Sequence, residues 1–210
     1  MDDRERRYVL DQFAHEDPIQ RVTREGHETA GLPAITISPE AGRFLEVLFR
    51  AARVRHALEI GTLGGYSALW MLRALPEDGT LVTIECDSAH VGYARRAFGA
   101  AGHADRVTIM EGDARMILPT LDGPFDAIFV DANKDAMPFY FGEAVRLLHV
   151  GGLLLGDNAF WGGKVLDETV ADEETAGVRR FNAFAAADPR LVATILPVGD
   201  GLLFGVKVRA

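Results

Sequence analysis

Between residues 56 and 156 the chain alternates short apolar runs with stretches of helical periodicity, and this alternation restricts its possible folds more than any other feature. The runs His56–Ile60, Leu81–Glu85, Val107–Met110, Ala127–Asp131 and Leu153–Gly156 are too short to cross a membrane and suit strands buried on both faces. Helical spacing covers Tyr66–Leu75, Ala89–Ala101 and Phe139–Leu148 between them. A charged helix is expected around Asp172–Ala187, then two further strands, Leu191–Leu196 and Leu202–Val208. The linking segment Pro197-Val198-Gly199-Asp200-Gly201 is too short for a crossover, so these last strands form an antiparallel hairpin. The predicted fold is α/β: a doubly wound, Rossmann-like, mostly parallel sheet with an antiparallel end.

The first 55 residues read as helices. Tyr8, Val9 and Phe13 give a weak apolar stripe, and Pro18 opens a polar segment that ends near Gly31-Leu32-Pro33. Ser38 and Pro39 are an N-cap and first helical residue, with Phe44, Leu45, Leu48 and Phe49 at helical spacing behind them. These mixed stripes do not complete a sheet core, so residues 1–55 are expected to form a lid or a subunit contact. With 210 residues, a single domain spans 1–210, its sheet core being 56–210. The net charge of −9 disfavours nucleic acid or an anionic membrane as main partner, leaving small molecules and other proteins. The lone Cys86 cannot form an internal disulfide, and Met1-Asp2-Asp3-Arg4-Glu5-Arg6-Arg7 precedes no apolar signal segment, so a cytoplasmic location is expected.

Parallel strands carry ligand sites at their carboxyl ends, and two runs here end abruptly in oxygen-bearing side chains. Phe129-Val130 leads to Asp131-Ala132-Asn133-Lys134, and Leu153-Leu154-Leu155-Gly156 leads to Asp157-Asn158. Converging at one crevice, Asp131, Asp157 and Asn158 form an all-oxygen set of the kind preferred by magnesium, calcium or manganese. The first strand ends in Glu59-Ile60-Gly61-Thr62-Leu63-Gly64-Gly65-Tyr66-Ser67. Glycines there permit close backbone approach to a cofactor, but the spacing is not G-x-G-x-x-G, and Glu59 would repel a pyrophosphate. A cationic cofactor suits it better. Glu85, ending the second strand, stands where nicotinamide and adenosine cofactors alike have their ribose held. Asp113, after Gly112, suits an adenine amino group or, more simply, a helix N-cap.

These motifs, with Gly31-Leu32-Pro33-Ala34-Ile35, Phe125-Asp126-Ala127-Ile128-Phe129-Val130-Asp131 and Gly156-Asp157-Asn158-Ala159-Phe160-Trp161-Gly162-Gly163, resemble the divalent-metal-dependent, S-adenosylmethionine-dependent O-methyltransferases of the catechol and caffeoyl-CoA type. The resemblance covers nearly the whole chain and extends to Leu196-Pro197-Val198-Gly199-Asp200-Gly201. It implies a seven-stranded sheet with the last strand antiparallel, and a homodimer. It also implies that Glu59, Gly61, Gly65 and Ser67 hold the methionine part of S-adenosylmethionine, Glu85 the ribose, and Asp113 with Ala114 the adenine. Ile35 and Asp131 join that cofactor set, and Asp131, Asp157 and Asn158 become metal ligands, magnesium first. One departure stands inside the motif: many members read Asp-Ala-Asp-Lys where this chain has Asp131-Ala132-Asn133-Lys134.

Methyl transfer from a sulfonium to oxygen is an in-line displacement that demands alignment and a deprotonated oxygen. Three protein ligands leave about three octahedral positions, enough for both oxygens of a vicinal diol. A chelating, hydroxylated small-molecule acceptor is therefore expected, with Lys134 as general base and Trp161 as a pocket wall or a loop clamp. The six histidines show no metal spacing and read as structural or solvent-facing. Two other functions remain open: a nicotinamide-dependent oxidoreductase and a non-catalytic adenosine-cofactor-binding protein.

Overall fold

The structure, a computed structural model, describes residues 2–210. Of the span expected as one domain, Met1 alone lies outside the described residues.

Seven strands form one sheet in the order β3-β2-β1-β4-β5-β7-β6. They are β1 (His56–Ile60), β2 (Thr80–Glu85), β3 (Val107–Glu111), β4 (Phe125–Val130), β5 (Leu148–Gly156), β6 (Leu191–Leu196) and β7 (Leu202–Lys207). β7 runs antiparallel to both β5 and β6, and the other pairings are parallel. The predicted doubly wound topology and terminal hairpin are thus present. Among the described residues eight α-helices accompany the sheet: α1 (Asp3–Gln12), α2 (Pro18–Thr29), α3 (Pro39–Ala51), α4 (Tyr66–Ala74), α5 (Ser88–Ala100), α6 (Ala114–Ile117), α7 (Met137–Leu147) and α8 (Glu173–Ala187). Among the described residues no helix is long and apolar enough to cross a membrane.

Both sheet faces are covered, which is why the parallel strands read as nearly continuous apolar runs. On one face Leu45, Phe49, Trp70, Phe98, Phe129 and Leu155 share a core. On the other lie Leu58, Ile60, Ile128, Val130, Tyr140, Phe141, Leu154 and Phe181. Truncating a fully buried ring such as Phe129 to alanine costs about 3–5 kcal/mol at sites of this kind.

Three details differ from the expected elements. α3 is part of the first core, with Ala41, Leu45 and Phe49 buried against α4, so the N-terminal segment does help to complete it. Only α1, which buries no residue, and α2, which buries Gln20, Thr23 and His27, are peripheral. β5 begins five residues before the predicted Leu153, because Gly151-Gly152 continues the strand. Gly151 takes φ +95°, and the ladder to β4 shifts register between Phe125 and Ala127 to absorb the irregularity. α6 was not anticipated, since four residues are too few to show a period.

The helix starts follow from local chemistry. Asp17 and Gln20 form a reciprocal capping box at α2 with Pro18 at its first position, and Ser38 Oγ accepts from Ala41 N at 3.3 Å to cap α3. α4 has no side-chain cap; its N-cap is Gly65 at φ +86°, which leaves the first N–H groups free at the glycine loop.

Candidate active site

Sheet register sets three loop starts side by side. Ile60 pairs with Val130 and Val130 with Gly156, so Gly61, Asp131 and Asp157 emerge in one row. Asp131 N donates to Ile60 O at 2.9 Å and Asp157 N to Val130 O at 3.1 Å, carrying the ladder one residue past the strands. Strand order reverses between β1 and β4, where doubly wound sheets open a crevice. A cavity of about 710 Å³ occupies it.

Of the residues expected to hold a cofactor, Ile35, Gly61, Ser67, Glu85, Asp113, Ala114 and Asp131 line this cavity, whereas Glu59 and Gly65 do not. Gly61 is required twice over: its φ is +95°, and a Cβ there would meet Asp131 O at 2.0 Å. Gly65 instead admits the Phe98 ring, which a Cβ would approach to 2.7 Å. Glu59 points into the first core, as strand alternation requires when Leu58 and Ile60 face the second. Its Oε1 accepts from Ser67 Oγ at 2.5 Å and its Oε2 from Thr83 Oγ1 at 2.6 Å. Burial pushes its pKa up to about 8, and in the protonated form that this favours near neutral pH, one of the two hydroxyls accepts the carboxyl O–H. The repulsion of a pyrophosphate expected from Glu59 is correspondingly weakened; the carboxyl lies behind Ser67 rather than beside a ligand.

Glu85 ties the glycine loop to β2. Its Oε2 accepts from Leu63 N at 2.7 Å and Thr62 N at 3.3 Å, and its Oε1 from Cys86 N at 2.9 Å and Asp87 N at 3.0 Å. Asp113 is the N-cap of α6, accepting from Arg115 N at 2.8 Å, and also pairs with the Arg115 guanidinium at 2.7 Å. The N-cap reading of that residue is therefore met, and the residue also lines the cavity.

At the other end, Lys134 Nζ donates to Asp131 Oδ1 at 2.8 Å. Lys134 is buried in the turn before α7 and lies 5.6 Å from the centre of the Trp161 ring, with Lys164 Nζ at 5.3 Å. Trp161 has φ +50° and is followed by Gly162 and Gly163, also at positive φ. Both Asp200 oxygens accept from Gly162 N at 2.9 Å, fixing this loop to the β6–β7 turn. Asn158, at φ +58°, a conformation asparagine tolerates better than most residues, turns the chain out of β5. It lines both the main cavity and a neighbouring one of about 520 Å³ that Asp157 lines.

Burial first, and then the charge of Asp131, push Asp157 up to about 7. A carboxyl group whose ionisation burial and a neighbouring carboxylate disfavour, with Asn158 next in the chain, supplies oxygen donors of the kind a hard divalent cation would fit. No group of three or more His, Cys, Asp or Glu side chains suited to an ion occurs among the described residues, so the fit depends on Asn158 as third donor.

Asn133, the departure from the family motif, has a local explanation. Its Oδ1 accepts from Tyr140 Oη at 2.5 Å and its Nδ2 donates to Asp135 Oδ1 at 2.6 Å. An aspartate there could not donate to Asp135 and would set two carboxylates against each other.

Tyr66, His27, His90, Cys86 and Tyr140 also line the main cavity, although the sequence did not single them out as ligands. The only signal for His27 is its place at helical spacing with Gln20 and Thr23 on the buried face of α2, a stripe invisible to hydropathy because it is polar.

Residues 11–208 match the O-methyltransferase family. The chain is 42% identical over 193 residues to a catechol O-methyltransferase of Niastella koreensis, covering 90% of this chain and 87% of that protein. An O-methyltransferase of Bacillus cereus in complex with SAH is similar at TM-score 0.90 and 37% identity, with 96% of each chain covered. One of Streptomyces achromogenes involved in tomaymycin synthesis, in complex with SAM, is similar at TM-score 0.91 and 36% identity over 100% of both chains.

Proposed function

The chain belongs to the S-adenosylmethionine-dependent O-methyltransferase family, and from that premise we propose that it methylates one hydroxyl of a catechol-like vicinal diol, with a divalent cation held by Asp131, Asp157 and Asn158 and with Lys134 as general base. Family membership removes the reason for a nicotinamide-dependent oxidoreductase or a non-catalytic binding protein.

The observation that carries this reading is the register of β1, β4 and β5, which sets Gly61, Asp131 and Asp157 in adjoining loops. A methyl donor against the glycine loop and an acceptor beside Asp131 would then meet at short range, which is the main demand of an in-line transfer. A divalent cation, when bound, supplies Lewis acidity that lowers the pKa of an acceptor hydroxyl.

The remaining work falls to side chains. Glu59, itself bonded to Thr83, holds the Ser67 hydroxyl, and Thr83 also bonds Thr62 of the loop, below the donor's methionine end. Glu85, held by four backbone N–H groups, offers its carboxylate to a ribose. Lys134 can take up an acceptor proton only from its neutral form, whose lone pair is free while one of its N–H groups keeps donating to Asp131. Trp161 walls the acceptor side, its ring flanked by two ammonium groups.

Titration calorimetry with magnesium, in the presence of S-adenosylhomocysteine, tests the cation site. Wild-type protein should bind one ion and the Asp131→Ala variant none; absence of binding to wild type would refute the metal part of the proposal.

A further inference from the structure

α2 meets the cofactor cavity through one residue. His27 has no exposed surface, and neither ring nitrogen has a well-aligned hydrogen-bond partner, the Pro33 carbonyl being the one backbone acceptor close enough to favour its charged form. The ring lies against the glycine loop: a Cβ built on Gly64 would meet His27 Nε2 at 2.0 Å and two ring carbons at 2.8 Å. Gly64 is not at positive φ, unlike Gly61 and Gly65. Backbone conformation therefore does not demand glycine there; the imidazole does.

A second notch of the same kind lies one residue away on α2. A Cβ on Gly26 would meet Tyr93 Oη at 2.5 Å, and that hydroxyl donates to Thr23 O at 2.9 Å. The rings of His27 and Tyr93 stand edge to face with centroids 5.2 Å apart. α2 is thereby keyed to α5 through Tyr93 and to the glycine loop through His27. The next loop residue, Leu63, donates its N–H to Glu85, the carboxylate assigned above to the ribose.

A buried imidazole whose nitrogens have at most one poorly aligned partner, the Pro33 carbonyl, is an expensive way to fill space. Leucine or methionine would pack a notch of that size without the penalty. We infer that His27 is a positioning residue for the cofactor: it wedges α2 against Gly64, sets the loop that presents Leu63 N to Glu85, and closes the ribose end of the cavity. The inference rests on the cofactor lying against that loop with its ribose at Glu85. It assigns His27 no contact with reacting atoms.

The two residues are a matched pair, so a double-mutant cycle separates this role from simple packing. The measured quantity is the Kd of S-adenosylhomocysteine for the wild type, Gly64→Ala, His27→Ala and the double variant, alongside each melting temperature. Gly64→Ala alone should weaken binding roughly tenfold or more, because the new methyl must push the loop off His27. His27→Ala should weaken it several-fold. The double variant should bind better than Gly64→Ala, its methyl occupying the space the ring vacated. In turnover, His27→Ala should raise KM for the methyl donor while leaving kcat and the acceptor KM near wild type, a split that a general loss of stability would not give. Should Gly64→Ala not fold alone, recovery of folding in the double variant reads the same coupling. Additive effects on Kd, or unimpaired binding by folded Gly64→Ala, would overturn the inference. Unaltered binding by Glu85→Gln would instead refute the ribose assignment, a distinct failure.

Discussion

Lys134 Nζ donates to Asp131 Oδ1 at 2.8 Å, so the amine proposed as the base and the first carboxylate proposed as a cation ligand are partnered within the protein itself. They are three residues apart, and the turn from Lys134 to Ala136 folds the lysine back over the end of β4. The pair orients both groups toward the cavity before any ligand arrives.

Substitution at Lys134 tells the roles of charge and base apart. Lys134→Ala should lower kcat by ~10²-fold or more, with cofactor binding retained. Lys134→Arg keeps a cation able to pair with Asp131 but cannot accept a proton, so it should fail nearly as badly. Steady-state kinetics on both variants decides: recovery in the arginine variant would make Lys134 an orienting charge only.

Gly61→Ala should be severe. The new methyl group meets the Asp131 carbonyl at 2.0 Å and the residue must hold φ +95°, so the β1 and β4 loops are forced apart. A loss of about 3 kcal/mol or more is expected, and at this chain length a melting temperature lower by roughly 10 °C. A melt within a degree or two of wild type would show that the loops part freely.

Asn133→Asp installs the acid that the family resemblance leads one to expect and places it against Asp135. Because both positions are exposed, the repulsion is screened and should cost about 1 kcal/mol or less at low salt, shrinking as salt is added or as pH falls and one carboxylate takes a proton. Melting curves across salt and pH measure this; a more stable variant at neutral pH would contradict the role given to Asn133.

Glu59 makes stability depend on pH. Its carboxyl ionises near 4.5 when unfolded and at about 8 when folded, so the native state binds the extra proton between those values. The stability this group contributes is complete below pH 4.5 and is lost as pH rises through 8. Glu59→Gln has no such proton to lose, so its melting temperature should gain on the wild type steadily from pH 5 to pH 8. A constant difference between the two proteins would mean that Glu59 is ionised in the folded state throughout.

What could be read from the sequence alone follows from which signals are local. Asp131 and Asp157 announced themselves because apolar strand residues stop abruptly before them, and Gly61 because a strand precedes it. The β6–β7 hairpin was legible from the length of its connection. The roles of His27 and Gly64 were not, because their meeting joins segments 37 residues apart and leaves no period or spacing in either. Glu59 looked like a charge facing a ligand, since nothing in its neighbours says that Thr83 of the next strand and Ser67 of α4 enclose it. The burial of α3 was missed for a related reason: a mixed stripe becomes core only once Trp70 is seen to pack on it.

The central claim is that a cation-held diol receives the methyl group beside Asp131. It is tested most directly by following transfer of labelled methyl from S-adenosylmethionine to catechol, with and without a strong chelator. The account predicts a monomethyl ether as product, abolished by chelator and restored by added magnesium. Undiminished transfer in chelator, or none to catechol by protein that binds the donor, would contradict it.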